Sequence, residues 1–362
     1  MLKNSFIIFS LLVLTLSLVP ANVFAKENGE VKIDQRNSGE IRKILNNIRD
    51  KDPQKPETKG LNKDNKNQLS SNQRDLQIKF NLKNKKIKLQ NKDKGDIQIG
   101  IPESQKMDSV DIVDNRVIYS GKESKTDIIV ESIDGGIRQI INIKDSTAPN
   151  FYDFPVDLEK DDNLILNKDG SAAVIRPYTK EEKEKIPKNV PEGIEIPDKT
   201  AKLLIAKPWA KDANGKDLKT WYTIAGNNLR QNIDLNGAVF PVVADPIWCG
   251  NAINSVNWIR RNDMWSASVN PTWCGAWGSV QQPWDAWVEA YNKTNSCARW
   301  SGWTCIARPW NKQWNTNQYW SMYNQFVCHA EFARGWKPDW VWNLEPARPD
   351  RGYLGFIQNN CN

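Results

Sequence analysis

Six cysteines, all in the last third of the chain, constrain the fold more than any other feature. An even number of cysteines confined to one segment of an exported chain predicts a disulfide framework. A zinc site does not fit, because the segment has no Cys-x-x-Cys pair and the chain has a single histidine. The spacing favours Cys297–Cys305, which closes a short loop, and Cys328–Cys361, which links the histidine segment to the tail. Cys249 is then left to pair with Cys274.

The N-terminus predicts export. A basic start at Lys3 precedes an apolar run, residues 6–19, and the small-residue site Val23-Phe24-Ala25. This pattern is typical of a secretory signal peptide. The run is short for a bilayer, and no later segment approaches about twenty apolar residues. We therefore expect a secreted, extracellular protein without a transmembrane anchor.

The composition changes abruptly at Pro246. At or after Trp248 lie 15 of the 17 tryptophans, whereas 32 of the 35 lysines come before it. This shift predicts a domain boundary. The expected divisions are a signal peptide (1–25), a disordered Lys/Asn-rich leader (26–74), a β-rich carrier region (75–246) and a Cys/Trp-rich C-terminal domain (247–362).

The leader is rich in Lys, Asn, Asp, Gln and Glu, which predicts disorder because too little apolar surface can be buried. Its one apolar face, made by Ile41, Ile44, Leu45 and Ile48, is typical of a short, transient helix. From residue 76 apolar and polar residues alternate in short runs separated by Gly- and Asn-containing turns, which predicts an all-β, sandwich-like region. Residues 179–197, rich in Lys, Glu and Pro, are expected to form a solvated loop.

The C-terminal domain is predicted to be a small, disulfide-bonded α+β fold. Strands are expected at residues 255–259 and 264–269. Apolar residues at helical spacing after Pro283 predict one helix, and residues 316–333 predict a longer one. The last part, from Trp336, contains three prolines and is expected to be mostly extended.

Charge and motifs exclude several classes. The formal net charge of +7 comes mostly from the lysine-rich N-terminal part, and the segment after Pro246 has ten basic and seven acidic residues. So small a surplus gives little support for nucleic-acid binding, and none is expected. No phosphate loop, nucleophile elbow or metal motif is present, so we expect neither a cofactor nor a metal.

Several motifs in the C-terminal domain carry a resemblance. They are Trp-Ser-Ala-Ser-Val-Asn-Pro-Thr (265–272), Gln-Phe-Val-Cys-His (325–329) and Trp-Asn-Leu-Glu-Pro-Ala-Arg-Pro-Asp (342–350). About the last 110 residues resemble the bacterial secreted family known as domain of unknown function 2599. The segment 240–246 resembles a β-rich region that precedes C-terminal domains in secreted actinobacterial and firmicute proteins. The resemblance implies export and this two-part layout, and it implies no activity.

One functional hypothesis is an extracellular hydrolase or antibacterial toxin. In it His329 acts as general base, Glu345 or Asp350 orients it, and Arg348 stabilises an anionic transition state. The structural alternative is that His329 packs or caps its helix while Glu345 and Arg348 form a salt bridge.

The competing hypothesis is a binding module for a cell-wall glycan or a partner protein. Fifteen tryptophans exceed what a small core readily hides, since this side chain is seldom fully buried. An exposed aromatic platform is predicted in the insert, formed by Trp300, Trp303, Trp310 and Trp314. The partner would be a bacterial envelope component or a target-cell factor.

Overall fold

The computed structural model describes residues 38–53, 55–102, 107–187, 189–261, 263–278, 283–294, 299–301, 304–307, 316–332 and 341–361. No helix in this described part of the chain is both long and apolar enough to cross a membrane.

The first two thirds are built almost entirely from strands. In chain order the elements are α1 (Ser38–Lys51), β1 (Asn62–Asn65), β2 (Gln68–Asn72), β3 (Leu76–Asn81), β4 (Lys86–Asn91), β5 (Gly95–Gly100), β6 (Ser109–Val113), β7 (Arg116–Ser120), β8 (Thr126–Ile133), β9 (Gly136–Ile143), β10 (Phe151–Asp157), β11 (Asn163–Leu166), β12 (Ala172–Pro177), α2 (Lys180–Lys185), β13 (Lys199–Ile205), β14 (Trp209–Lys211), β15 (Thr220–Ala225), β16 (Asn228–Ile233), β17 (Val242–Asp245) and β18 (Ile247–Cys249).

These strands form two antiparallel sheets, as far as the described residues show. The first has the order β1-β2-β3-β4-β5-β10-β16-β15, and the second has the order β11-β12-β13-β18-β9-β8-β7-β6, with β17 joining β9 to β14. Alternate residues of β3, such as Ile78 and Phe80, share one core with Ile128 and Ile141 of the second sheet. The alternating pattern buries one face of each strand against the opposite sheet. The predicted β-rich, sandwich-like region is confirmed.

The outer face of the second sheet is covered by α1. Ile48 of this helix packs against Ile118, Ile129 and Ile140. The helix and strands β1 and β2 differ from the predicted disordered leader over residues 38–74. The apolar spacing was visible in the sequence, but a helix this short is stabilised by its packing partner, which lies far along the chain.

A buried arginine fixes the end of α1. The Arg138 guanidinium lies 2.6 Å from Asp52, 3.5 Å from Glu131 and 3.2 Å from Asp245. Burial, reinforced by the two neighbouring carboxylates and opposed by Arg138, raises the pKa of Asp245 to about 7. The residue that follows α1 therefore meets residues of β8, β9 and β17 in one interior ion cluster.

The C-terminal region is an α+β unit, as predicted. Its elements are β19 (Ile253–Arg261), β20 (Met264–Pro271), a π-helical turn (Cys274–Gly278), α3 (Pro283–Lys293), β21 (Arg299–Ser301), β22 (Thr304–Ala307), α4 (Thr316–Phe332), β23 (Trp342–Leu344) and α5 (Gly352–Gln358). Sheet β19-β20-β23 packs with α3 and α4 around an aromatic core. In that core the Trp287 ring lies 5.4 Å from Tyr319 and 5.6 Å from Phe326, centroid to centroid.

Two of the expected disulfides are present. Cys249 is bonded to Cys274, and Cys328 is bonded to Cys361. The second bridge ties α4 to the chain after α5, as expected, although α5 itself was not predicted. For the third pair, Cys297 lies outside the described residues, so that bridge stays a prediction.

The boundary between the two parts falls later than the composition suggested. Strand β18 pairs with β9 and β13 of the second sheet. Trp248 belongs to the sandwich core, where its ring meets Phe154 and its indole N–H donates to Gln139. The first tryptophan of the C-terminal block is therefore part of the upstream fold.

Polar contacts join the two parts. The carboxylate of Glu289 on α3 accepts backbone N–H bonds from Ala252 and Ile253 and lies 3.0 Å from Lys94 and 3.2 Å from Lys293. Lys293 also reaches Asp75 at 2.8 Å. The C-terminal region is thus held against loops of the first sheet by one buried carboxylate and by partly buried charges around it.

Candidate functional site

Helix α4 carries His329 and the polar side chains of Ser321 and Gln325, which contact β23 and the residues that follow it. The amide of Gln325, one turn before His329, is fully buried. Its oxygen accepts the backbone N–H of Glu345 at 2.9 Å, and its nitrogen donates to the Glu345 carbonyl at 3.0 Å. This two-point contact fixes the segment that follows β23 against α4.

The buried carboxylate of Glu345 is surrounded by donors. Ser266 on β20 donates its hydroxyl at 2.9 Å, and Arg348 donates its Nε at 2.9 Å. Arg261, at the end of β19, reaches the same carboxylate at 3.6 Å. The negative charge of Glu345 is therefore shared by two guanidinium groups, and one of its oxygens accepts a hydrogen bond from the Ser266 hydroxyl.

The remaining members of the predicted catalytic set also make structural contacts. The backbone oxygen of Arg348 accepts a hydrogen bond from Ser321 at 2.9 Å. Asp350 accepts from the Asn324 amide and from the N–H of Gly352, both at 3.0 Å, at the start of α5. These contacts join the tail to α4.

His329 occupies a different environment. Its half-buried ring stacks on Trp342 with an interplanar angle of 6° and a centroid distance of 6.5 Å. Burial and the positive charge of Arg261 lower the pKa of His329 to about 4, although a backbone hydrogen bond with Asn343 opposes them. The imidazole is therefore neutral at pH 7. Among the described residues, its buried Nε2 atom has no hydrogen-bond partner.

The predicted set thus divides into two groups. Glu345 and Arg348 form the salt bridge of the structural alternative, and Asp350 lies at the start of α5. His329 contacts Trp342 and Asn343 instead, and Arg261 is the residue that acts electrostatically on both His329 and Glu345.

The sequence did not identify Arg261, Ser266 and Gln325 as partners of Glu345. Two of them do lie in motifs that stand out in the sequence. Ser266 lies in the Trp-Ser-Ala-Ser motif and Gln325 begins the Gln-Phe-Val-Cys-His motif. Their pairing with Glu345 joins three separate motifs in space.

The predicted tryptophan platform falls largely outside the described residues. The backbone of Trp300 lies on β21, while Trp303, Trp310 and Trp314 are not described. Other tryptophans of the region are buried in the aromatic core, namely Trp258, Trp284, Trp287, Trp320 and Trp342.

Comparison with known proteins gives one match. Residues 253–362 match the family described as "Protein of unknown function (DUF2599)". No curated protein and no solved structure matches the chain. The match begins at the first residue of β19, so the whole Gln325–Glu345–Ser266 network and His329 lie inside it.

Proposed function

Because its C-terminal region belongs to a family of unknown function, we propose a function from the geometry: a secreted protein whose C-terminal region is an extracellular effector that acts by binding. Its target would be a component of a bacterial envelope or a surface protein of a target cell. The β-rich region would be the carrier that presents it.

Binding is favoured over hydrolysis because the carboxylate of Glu345 is already occupied by hydrogen bonds within the fold. A catalytic acid or base must be free to exchange a proton with a substrate. Glu345 is buried, and its two oxygens accept hydrogen bonds from Ser266 and Arg348. Such an acid serves the fold, because removing one of its partners leaves a buried charge with less compensation.

The docking contacts support the carrier role. Besides the Glu289 contacts, Thr200 of β13 donates its hydroxyl to Asp285 of α3 at 2.7 Å. Lys94 and Lys293 each keep 14% of their side-chain surface exposed. Inter-domain surfaces of this polar kind are typical of parts that can separate or move.

A hydrolase remains the second candidate, favoured by one observation. The buried Nε2 atom of His329 has no hydrogen-bond partner among the described residues. A neutral imidazole with an unused nitrogen could accept a proton from a substrate or from water.

The test compares the wild-type chain with His329→Phe, which keeps a ring against Trp342 and removes both nitrogens. We expect both proteins to cosediment with purified bacterial envelopes with the same affinity, and neither to release soluble fragments. Wild-type protein that solubilises envelope material, with the activity lost in His329→Phe, would establish the hydrolase. Wild-type protein that neither sediments with envelopes nor adheres to intact target cells would contradict the binding proposal.

A further inference from the structure

The segment after α2 crosses onto the C-terminal region. Residues 179–197 were expected to form a solvated loop, but Ile186, Ile194 and Ile196 pack against the aromatic core of that region. The backbone oxygen of Asn189 accepts a hydrogen bond from the Trp320 indole at 2.8 Å. We call residues 186–187 and 189–197 the strap.

The strap covers an aromatic groove. Its walls include Trp284 and Tyr291 of α3 and Tyr319 of α4, with Tyr178 and Thr200 completing the lining. The Trp320 indole of α4 holds the strap through Asn189. Trp284 and Trp320 are stacked with centroids 6.1 Å apart. The groove residues of α3 and α4 lie within the segment that matches the family, whereas Tyr178, Thr200 and the strap lie outside it. The aromatic walls on α3 and α4 therefore belong to the C-terminal region, and the cover comes from another part of the chain.

The strap is held by few contacts. Residues 189–197 lie in neither helix nor strand, and the three isoleucines are only half-buried. Val190 stays 38% exposed. Beside Ile186 a cavity of about 30 Å³ remains between the strap and the aromatic rings. Because the strap fills the groove incompletely and, within the residues described, forms no ladder of backbone hydrogen bonds with it, displacing the strap should cost little free energy.

The chemistry of the strap defines what fits the groove. Pro187, Pro191 and Pro197 restrict the backbone around the isoleucines, and the strap turns between Pro191 and Ile194, where the Ile194 N–H donates to the Pro191 carbonyl at 3.2 Å. A segment whose prolines and turn already restrict its backbone loses little conformational freedom when it docks on an aromatic surface. An indole N–H that donates to a backbone carbonyl, as Trp320 does to Asn189, is the polar contact such a groove provides.

We propose that the groove is a peptide-binding site occupied in the intact chain by the strap, and that it binds a proline-spaced, isoleucine-rich segment of a partner polypeptide when the strap leaves. The strap is tethered at both ends. Glu182 of the capped helix α2 forms a bidentate pair with Arg176, and β13 follows directly. Tethering gives the strap a high effective concentration, so it excludes a free peptide of equal sequence. This inference goes beyond the effector proposal, because it concerns peptide binding alone.

The first experiment uses the full chain with residues 186–197 replaced by a Gly/Ser linker of equal length. The probe is a fluorescent peptide of residues 185–198, and the control peptide carries Ser in place of the three isoleucines. We expect the linker variant to bind the probe at least about tenfold more tightly than wild type does, and neither protein to bind the control. A folded linker variant that ignores the probe, or equal binding by both proteins, would overturn the proposal.

A second measurement leaves the strap in place, so it decides the matter if the linker variant does not fold. Trp320→Phe removes the N–H that holds Asn189, and Trp258→Phe removes a similar bond to Thr294 at 2.9 Å, within the same core. Cleavage by a glutamate-specific protease at Glu192 should be about fivefold faster in Trp320→Phe and unchanged in Trp258→Phe. Equal rates in the two variants would show that the strap does not open as a separate unit.

Discussion

Replacing Glu289 by glutamine should lower the free energy of unfolding by about 3 kcal/mol. Glutamine keeps the shape but offers one acceptor oxygen for two backbone N–H donors, those of Ala252 and Ile253. One buried donor then loses its partner, at a cost of about 1–3 kcal/mol. Lys94 and Lys293 also lose a counter-charge, but they stay partly hydrated, so we add about 1–2 kcal/mol rather than the full cost of a broken buried pair.

The control is Glu159→Gln. Glu159 also lies 3.0 Å from a lysine, Lys202, but its side chain is 70% exposed, whereas that of Glu289 is 3% exposed. Lys202 is buried, but it keeps Asp162 at 3.0 Å when Glu159 is replaced, and Glu159 itself stays in water, so this change should cost at most about 1 kcal/mol. Urea unfolding of the full, oxidised chain at pH 7, followed by circular dichroism, gives both differences. Equal shifts for the two variants would refute the argument that burial sets the cost.

The pH dependence of the Glu289 effect has a defined sign. Burial alone would raise the pKa of Glu289, but Lys94, Lys293 and the two backbone N–H groups outweigh it and hold the pKa below its ordinary value. The charge therefore stabilises the fold above the ordinary glutamate pKa, and its contribution disappears as the pH falls through the lower folded value. The difference between wild type and Glu289→Gln should shrink in acid.

Three further outcomes are expected. As the pH rises from 4 to 7, the stability of Asp245→Asn relative to wild type should increase by roughly 2–4 kcal/mol, because an acid with a pKa raised to about 7 stabilises the fold only while it is protonated. Urea unfolding of both proteins at the two pH values measures this, and a constant difference would contradict it. Joint replacement of Cys328 and Cys361 by serine should cost about 3.5 kcal/mol, from a closed loop of 33 residues, measured by the same unfolding curves; an unchanged midpoint would show that the bridge adds nothing. Gly135→Ala should cost at least about 2 kcal/mol more than Gly170→Ala, since both glycines have positive φ but only at Gly135 would a Cβ overlap the segment that begins the C-terminal region; equal thermal shifts would refute the clash.

The sequence correctly predicted the elements that show a regular local spacing of apolar residues. Helix α4 followed from the spacing of Tyr319, Tyr323 and Phe326, because a helix buries residues three and four apart on one face. The sandwich followed from alternation, since strands such as β3 and β4 fully bury every second side chain. These patterns need no knowledge of which distant residue lies opposite.

Elements that depend on a distant partner were missed. The apolar face of α1 was visible, but its receiving surface, Ile118, Ile129 and Ile140, lies more than sixty residues away. Trp248 matched the tryptophan-rich block in composition, yet strand pairing places it in the upstream core. Composition reports what a segment contains and carries no information on which sheet it joins.

The candidate site shows the same limit at the level of side chains. His329, Glu345, Arg348 and Asp350 lie close together in the sequence, which suggested one constellation. Helix phase and the Gln325 contact instead turn Glu345 toward Ser266, while His329 faces Trp342. Proximity along the chain places residues in one region, but only packing decides which atoms meet.

The bridge between Cys249 and Cys274 has a mechanical consequence. Cys249 ends a strand of the large second sheet, and the covalent link bypasses the hairpin of β19 and β20. When the chain is pulled from its two ends, tension therefore passes through the sulfur atoms, and the hairpin carries no load. The 25-residue span would add about 85 Å of extension only after a reductant cuts the bond. Under oxidising conditions the residues between the two cysteines would therefore add no length to the stretched chain.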